Sequence, residues 1–249
     1  MIDRVAHMLS RVGDPDSTLR PTELFNEGWM LLLLLDWASR SARAPYPLTF
    51  FEGARWFSEA LLRSQFLPRT HGDLLAESWT HADGVIGHFT IGDVGRGDLA
   101  IQSDARQFVA VEAKMFSGLA PGVRRVPDFD QAARYVACVT ESLARAERTP
   151  RSLSSLAFYV IAPQEQIDQG VFGHLVTRES IQRKVRARVT SYGGEKDSWY
   201  TNWFLPTLDA ISLNVLAWES LVKDAGPEYV EFYRKCLIHN RTELVQAKG

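Results

Sequence analysis

The stretch GDLAIQSDARQFVAVEAK, residues 97–114, decides how this chain is read. Two short apolar runs, 98–103 and 107–114, each alternate in the period-2 pattern of a strand and flank a short polar link. A turn centred on Ala105 sets Leu99 opposite Val111, Ile101 opposite Val109 and Asp98 opposite Glu112. Alternation then puts Leu99, Ile101, Val109 and Val111 on one side of the sheet as a core face. Asp98, Ala100, Glu112 and Lys114 lie on the other. Two carboxylates directly opposite would stand roughly 5 Å apart at their β-carbons and repel. The arrangement makes sense around a divalent cation of the Mg²⁺ kind, which takes carboxylate, water and phosphate oxygens. Asp104-Ala105-Arg106 lacks the glycine that tight hairpins favour, so a register one or two residues off stays open. The plain alternative is an exposed strand with Glu112 and Lys114 as solvated charges.

Outward from this stretch, 85–91 reads as a strand leading into a glycine-rich turn at 92–97. A loop at 117–127 leads to a helix over 128–148, with Phe129, Ala133, Val136 and Leu143 as its core stripe at the 3.6-residue period. Another strand follows at 156–162. Upstream, 21–40 reads as a helix with Pro21 in its first turn, and 51–64 as a second helix. Downstream come an arginine-rich polar segment, a late strand at 211–218 and a last helix at 229–239. Adjacent strands suggest hairpins, and the helix between two strands suggests a crossover. The expectation is one α/β domain over 1–249, with its core at about 21–165 and a C-terminal elaboration from about 166.

The bulk numbers agree with a folded chain. Of 249 residues, 45% are hydrophobic, enough for a large core, and a charged fraction of 23% with 7 Trp argues against disorder. The formal net charge of -2 excludes a globally basic nucleic-acid coater but not an enzyme whose acidic site and basic groove cancel. Two cysteines far apart, Cys138 and Cys236, support neither a disulfide scaffold nor a Cys-type zinc site, and point to reduced cytoplasmic thiols. The six histidines show no HExxH pair. The start is no signal peptide, and the apolar run 29–35 is too short to span a bilayer, so no membrane is expected.

Gln131 and Tyr135 are four apart and share a helix face that borders the stripe and could overlook the carboxylates. Asp128 followed by Gln131 also resembles a capping box, in which Gln131 would bond back to the helix start.

Asp98, then Glu112-Ala113-Lys114, then a helix with Gln131-x-x-x-Tyr135 resembles the PD-(D/E)XK nuclease superfamily, nearest its RecB-like and Cas4-like branch with a QxxxY motif. Gly97 stands where proline gives the motif its name, and the Cas4-type iron–sulfur cysteines are absent from the sequence. The resemblance implies a restriction-endonuclease-like mixed sheet flanked by helices, and Mg²⁺- or Mn²⁺-dependent hydrolysis of phosphodiester bonds, in DNA before RNA, in defence or repair. It implies that Asp98, Glu112 and the Ala113 carbonyl hold the metal, that Lys114 orients or activates the attacking water, and that Gln131 and Tyr135 support the site. Arg124 and Arg125 become phosphate-contact candidates, equally readable as solvated loop charges. The superfamily often adds a helical glutamate. Glu27 is the first choice, ahead of Glu59 and Glu77, whose plain readings are a helix-start charge, a solvated face and a loop acid. A non-catalytic module that kept the fold to bind nucleic acid or a partner is the alternative function, and a homodimer or partner protein stays open.

Overall fold

Strand β5 (Gln107–Ala113) is buried along its whole length, as expected for a near-continuous apolar run with both faces covered. This computed structural model describes residues 1–246 apart from positions 16, 43–46, 72, 74, 78, 93–97 and 123–125. Strand β5 pairs antiparallel with β2 (Thr80–Gly87) and parallel with β6 (Ser155–Ala162). Outside them lie β1 (Arg55–Leu62), antiparallel to β2, and β7 (Ser212–Ala217), parallel to β6. The result is a mixed five-stranded sheet in the order β1-β2-β5-β6-β7. The short strands β3 (Phe89–Ile91) and β4 (Leu99–Ile101) form a separate hairpin.

Helix α1 (Ile2–Ser10) opens the chain, and helices cover both faces of the sheet. Val109, Val111 and Ala113 of β5 face one core with α3 (Glu27–Arg40) and two late helices, Trp218–Ala225 and Pro227–Gln246. Phe108 and Ala110 face the other core with α4 (Gln131–Arg145), the right place for the crossover between parallel β5 and β6. The expected stripe Phe129, Ala133, Val136 and Leu143 is buried there. Helix α3 starts at Asn26, whose Oδ1 accepts the Trp29 amide at 3.0 Å, so the segment read as one helix from Pro21 breaks after the short α2 (Pro21–Leu24). It seats Met30, Leu31, Leu34 and Leu35 close on the sheet: a β-carbon on Gly84 would meet Leu35 Cδ1 at 2.9 Å. Gly84 is what allows that approach.

Two expectations are corrected. Residues 51–64 are not a helix: β1 takes Arg55–Leu62 of them, because seven backbone pairings to β2 outweigh a helical period that Trp56, Ala60 and Leu61 also satisfied. Nor do the strands holding Asp98 and Glu112 pair. Leu99 faces Ile91 and not Val111, since β4 folds back on β3, and β5 takes the earlier strand β2 as its antiparallel partner.

Candidate active site

Glu112 lies near the C-terminal end of β5 and is 1% exposed. A carboxylate at that depth needs partners, and three side chains supply them. Lys114 Nζ is 2.5 Å from Glu112 Oε1. Gln131 Nε2 donates to the same oxygen at 2.6 Å, and the Tyr135 hydroxyl donates to Oε2. Gln131 and Tyr135 thus do share the face that overlooks the carboxylate. The cap reading of Gln131 fails: the helix cap is Asp130, which accepts the Ala133 amide at 3.1 Å. As the first residue of α4, Gln131 instead spans the site, its Oε1 accepting the Ala120 amide at 3.0 Å. Tyr135 is fully buried, stacked on Phe158 with ring centroids 4.8 Å apart. Burial first, then the Glu112 charge, push its phenol well above the ordinary range, so it stays a donor.

The second carboxylate is Asp83. The β2–β5 ladder runs to Gly84 opposite Val111, and one step further puts Asp83 opposite Glu112, on the same face. There the ladder opens. The Ala113 amide, which strand geometry aims at β2, donates to Asp83 Oδ2 at 2.8 Å. Burial and the neighbouring Glu112 push the Asp83 carboxyl up to about 7, against the Ala113 amide and Lys114, which pull it down. On the far side of Asp83 lies Glu59 of β1, between the pairs Ser58–Gly84 and Ala60–Ala82. Glu59 has a φ of 53°, in the left-handed region a non-glycine residue rarely adopts. Its carboxylate also raises Asp83, and lies 3.7 Å from His81 Nδ1.

Several sequence-based assignments change. Asp98 does not reach Glu112. It is exposed and forms a lone parallel bridge to Leu61 outside β1, three strand spacings from β5, about 14 Å. It lines a surface pocket with Arg63 and Arg145. Glu27 is on the wrong side of the sheet: α3 packs in the core of Val109 and Val111, and the Glu27 charge acts instead on Cys236, whose thiol burial and Glu27 push up to about 12. Glu77 is buried with Ser64 and Arg134 as its partners, Arg134 at 3.8 Å, and burial raises its carboxyl. Of the three helical candidates, Glu59 is the one beside Asp83, and it sits on a strand. Arg124 and Arg125 lie outside the described residues.

Asp83 escaped the sequence reading because Asp83-Gly84 has the look of a turn. The signal that could have found it is an acid next to an apolar run, on the strand before a glycine-rich excursion that returns to Glu112-Ala113-Lys114.

The donor chemistry suits a hard cation. Two ionised carboxylates offer about eight lone-pair sites, and the protein donors named above occupy four. The Ala113 carbonyl, which a strand directs to the same side as its amide, adds a third oxygen beside Asp83. Mg²⁺ typically binds one or two carboxylates and completes its shell with water and phosphate oxygens. Among the described residues no group of three or more His, Cys, Asp or Glu side chains is gathered for a metal, so these two carboxylates and one carbonyl are the set in question. Comparisons of the chain with protein-family models, with curated proteins and with solved structures returned no match.

Proposed function

We propose that this chain is a metal-dependent nuclease with a restriction-endonuclease-like core that hydrolyses phosphodiester bonds of DNA, with Asp83 in the role first assigned to Asp98. The observation that carries the reading is the pairing of Asp83 and Glu112 across adjacent strands, with Lys114, Gln131 and Tyr135 converging on Glu112. A purely structural carboxylate is better replaced by an apolar side chain, since burying an ion pair gains little net stability.

In this reading Asp83, Glu112 and the Ala113 carbonyl hold Mg²⁺ or Mn²⁺. The bound ion supplies charge on the phosphoryl oxygen and a nucleophilic water at neutral pH. Lys114, in contact with Glu112 Oε1, presents an ammonium beside the water's place. Tyr135 and Gln131 are positioning residues: they fix the two Glu112 oxygens from α4, and Gln131 ties them to the loop at Ala120. Arg124 and Arg125, a few residues further along the sequence, remain the candidates for phosphate contact.

The test is incubation with linear, circular and single-stranded DNA in Mg²⁺, Mn²⁺ or chelator, using the parent chain, Asp83→Ala and Asp98→Ala. Metal-dependent cleavage is expected from the parent and from Asp98→Ala, within a few-fold of each other, and none from Asp83→Ala. An inert parent, or the opposite order of the two variants, overturns the proposal. Gln131→Ala supplies a finer check. Losing the hold on Glu112 is expected to lower cleavage on the order of tenfold to a hundredfold, as small misplacements at a reacting centre do. Stability should fall by about 2–3 kcal/mol, the worth of its two hydrogen bonds, one of them to a carboxylate. Equal specific activity of the folded fractions would return Gln131 to a structural role.

A further inference from the structure

The strand that carries Glu112-Ala113-Lys114 is fastened well past its last residue. Lys114 adds one bond beyond β5, its amide donating to the Ile161 carbonyl at 2.8 Å. On the other side of the same residue, the Lys114 carbonyl accepts the Trp218 indole N–H at 2.9 Å. Trp218 is fully buried and opens the late helix Trp218–Ala225. A buried indole N–H needs an acceptor, and here the acceptor is the backbone of the candidate site's lysine. Peptide units are planar, so a bond on each side of the Lys114 Cα fixes both flanking planes. With them it fixes the direction in which the side chain leaves.

The next turn is held as closely. Phe116 has a φ of 67°, in the left-handed region that a bulky residue rarely adopts. Gln166 brackets it: its Oε1 accepts the Phe116 amide at 2.9 Å, and its Nε2 donates to the Ser117 carbonyl at 3.1 Å. Gln166 is 5% exposed and is the buried side chain of α5 (Gln164–Asp168), the short helix that follows β6. Backbone in a sparsely populated region persists where its surroundings over-determine it, and such residues gather at reacting sites. Further on, Ala120 exchanges two bonds with Gln131, which in turn holds Glu112. Lys114 and Gln131 thus converge on one Glu112 oxygen, and the chain between them is pinned at both ends and in the middle.

We propose, resting on the nuclease reading above, that Trp218 and Gln166 are positioning residues for Lys114. They lock the backbone that leaves the lysine, so that its ammonium stays on Glu112 Oε1 beside the place of the attacking water. The Ala113–Lys114 peptide itself is held by the bond to β6, so the ligand set does not depend on either residue. Losing one of these bonds lets Lys114 drift without removing a ligand. The reaction step then slows while DNA and metal still bind.

Steady-state cleavage by the full chain in Mg²⁺, on the DNA form that the parent cuts, tests this. Gln166→Met keeps the length of the side chain and removes both of its bonds. Trp218→Phe keeps an aromatic ring and removes the N–H. Gln164→Ala, an exposed change in the same short helix, is the control and is expected to match the parent. In each of the other two variants kcat is expected to fall on the order of tenfold to a hundredfold. KM, and Mn²⁺ affinity by calorimetric titration, should stay within about threefold of the parent. A merely structural role would lower the melting temperature and leave kcat of the folded fraction unchanged. Trp218→Phe leaves a gap in the core that it shares with α3, so its kcat is read below the onset of its melt. An inert parent sinks the nuclease reading and this proposal with it. An active parent whose kcat survives Gln166→Met or Trp218→Phe overturns this proposal alone, as does a loss that falls on KM or Mn²⁺ affinity instead, or one that Gln164→Ala reproduces.

Discussion

Asp83→Asn is expected to abolish cleavage while making the metal-free chain more stable at pH 8. Burial and Glu112 push the Asp83 carboxyl up to about 7, from an ordinary value of 3.8. The folded chain therefore holds a proton that the unfolded chain releases above about pH 4. A raised acid of this kind is harmless below its unfolded value. It costs stability progressively as pH rises through the interval, and the loss is complete above the folded value. The full shift corresponds to about 4 kcal/mol. Asp83 is only half-buried, and solvent screening brings the figure to about 2 kcal/mol. Asparagine keeps the shape and an acceptor for the Ala113 amide and removes the charge. Denaturant unfolding in chelator at pH 5 and pH 8 checks this: the parent should lose stability between the two, and the variant should lose about 1 kcal/mol less, because the part of the shift below pH 5 is already lost. Cleavage by the variant should fall on the order of a thousandfold or more, since an ion's charge at a phosphoryl oxygen is worth several kcal/mol. An equal pH slope in both chains would remove the physical basis for a strained pair.

Lys114→Ala is expected to lower cleavage on the order of a hundredfold to ten-thousandfold, the usual scale for a group that handles a proton in the reaction. The side chain is 12% exposed and in contact with Glu112, so the change is not silent for the fold. Glu112 keeps Gln131 and Tyr135 as donors, which limits the cost to about 2 kcal/mol. Calorimetric titration with Mn²⁺ separates the roles. Near-parent affinity with lost cleavage assigns Lys114 to the chemistry, whereas lost affinity with cleavage recovered at high metal assigns it to holding the ligands.

What could be read from the sequence was what is local. The alternation of 107–113 gave β5, the 3.6-residue stripe gave α4, and the four-residue spacing of Gln131 and Tyr135 put both over Glu112. Partner choice is not local. Strand β5 could fold back on the run beside it or reach past it, and the second pairing buries Val85 and Ile86, which the first would have left unpaired. The face on which α3 docks was equally hidden. Its run of five leucines is apolar nearly all round, so no stripe says which side Glu27 takes. The left-handed Glu59 had no signature, since position 59 carries a residue with no bias to that conformation.

The β3–β4 hairpin hangs from the main sheet between the two carboxylates, anchored by buried Phe89 and Ile101. Because β5 returns to β2 whatever lies between, the length of chain between β3 and β4 does not set the register that brings Asp83 to Glu112. Doubling such a loop costs only about 0.6 kcal/mol in closure entropy. Residues can therefore be added or removed between β3 and β4 without disturbing the carboxylate pair. The distance between the acid and the Glu-x-Lys triplet along the chain is then free to vary, while their meeting across the strands is set by the β2–β5 register.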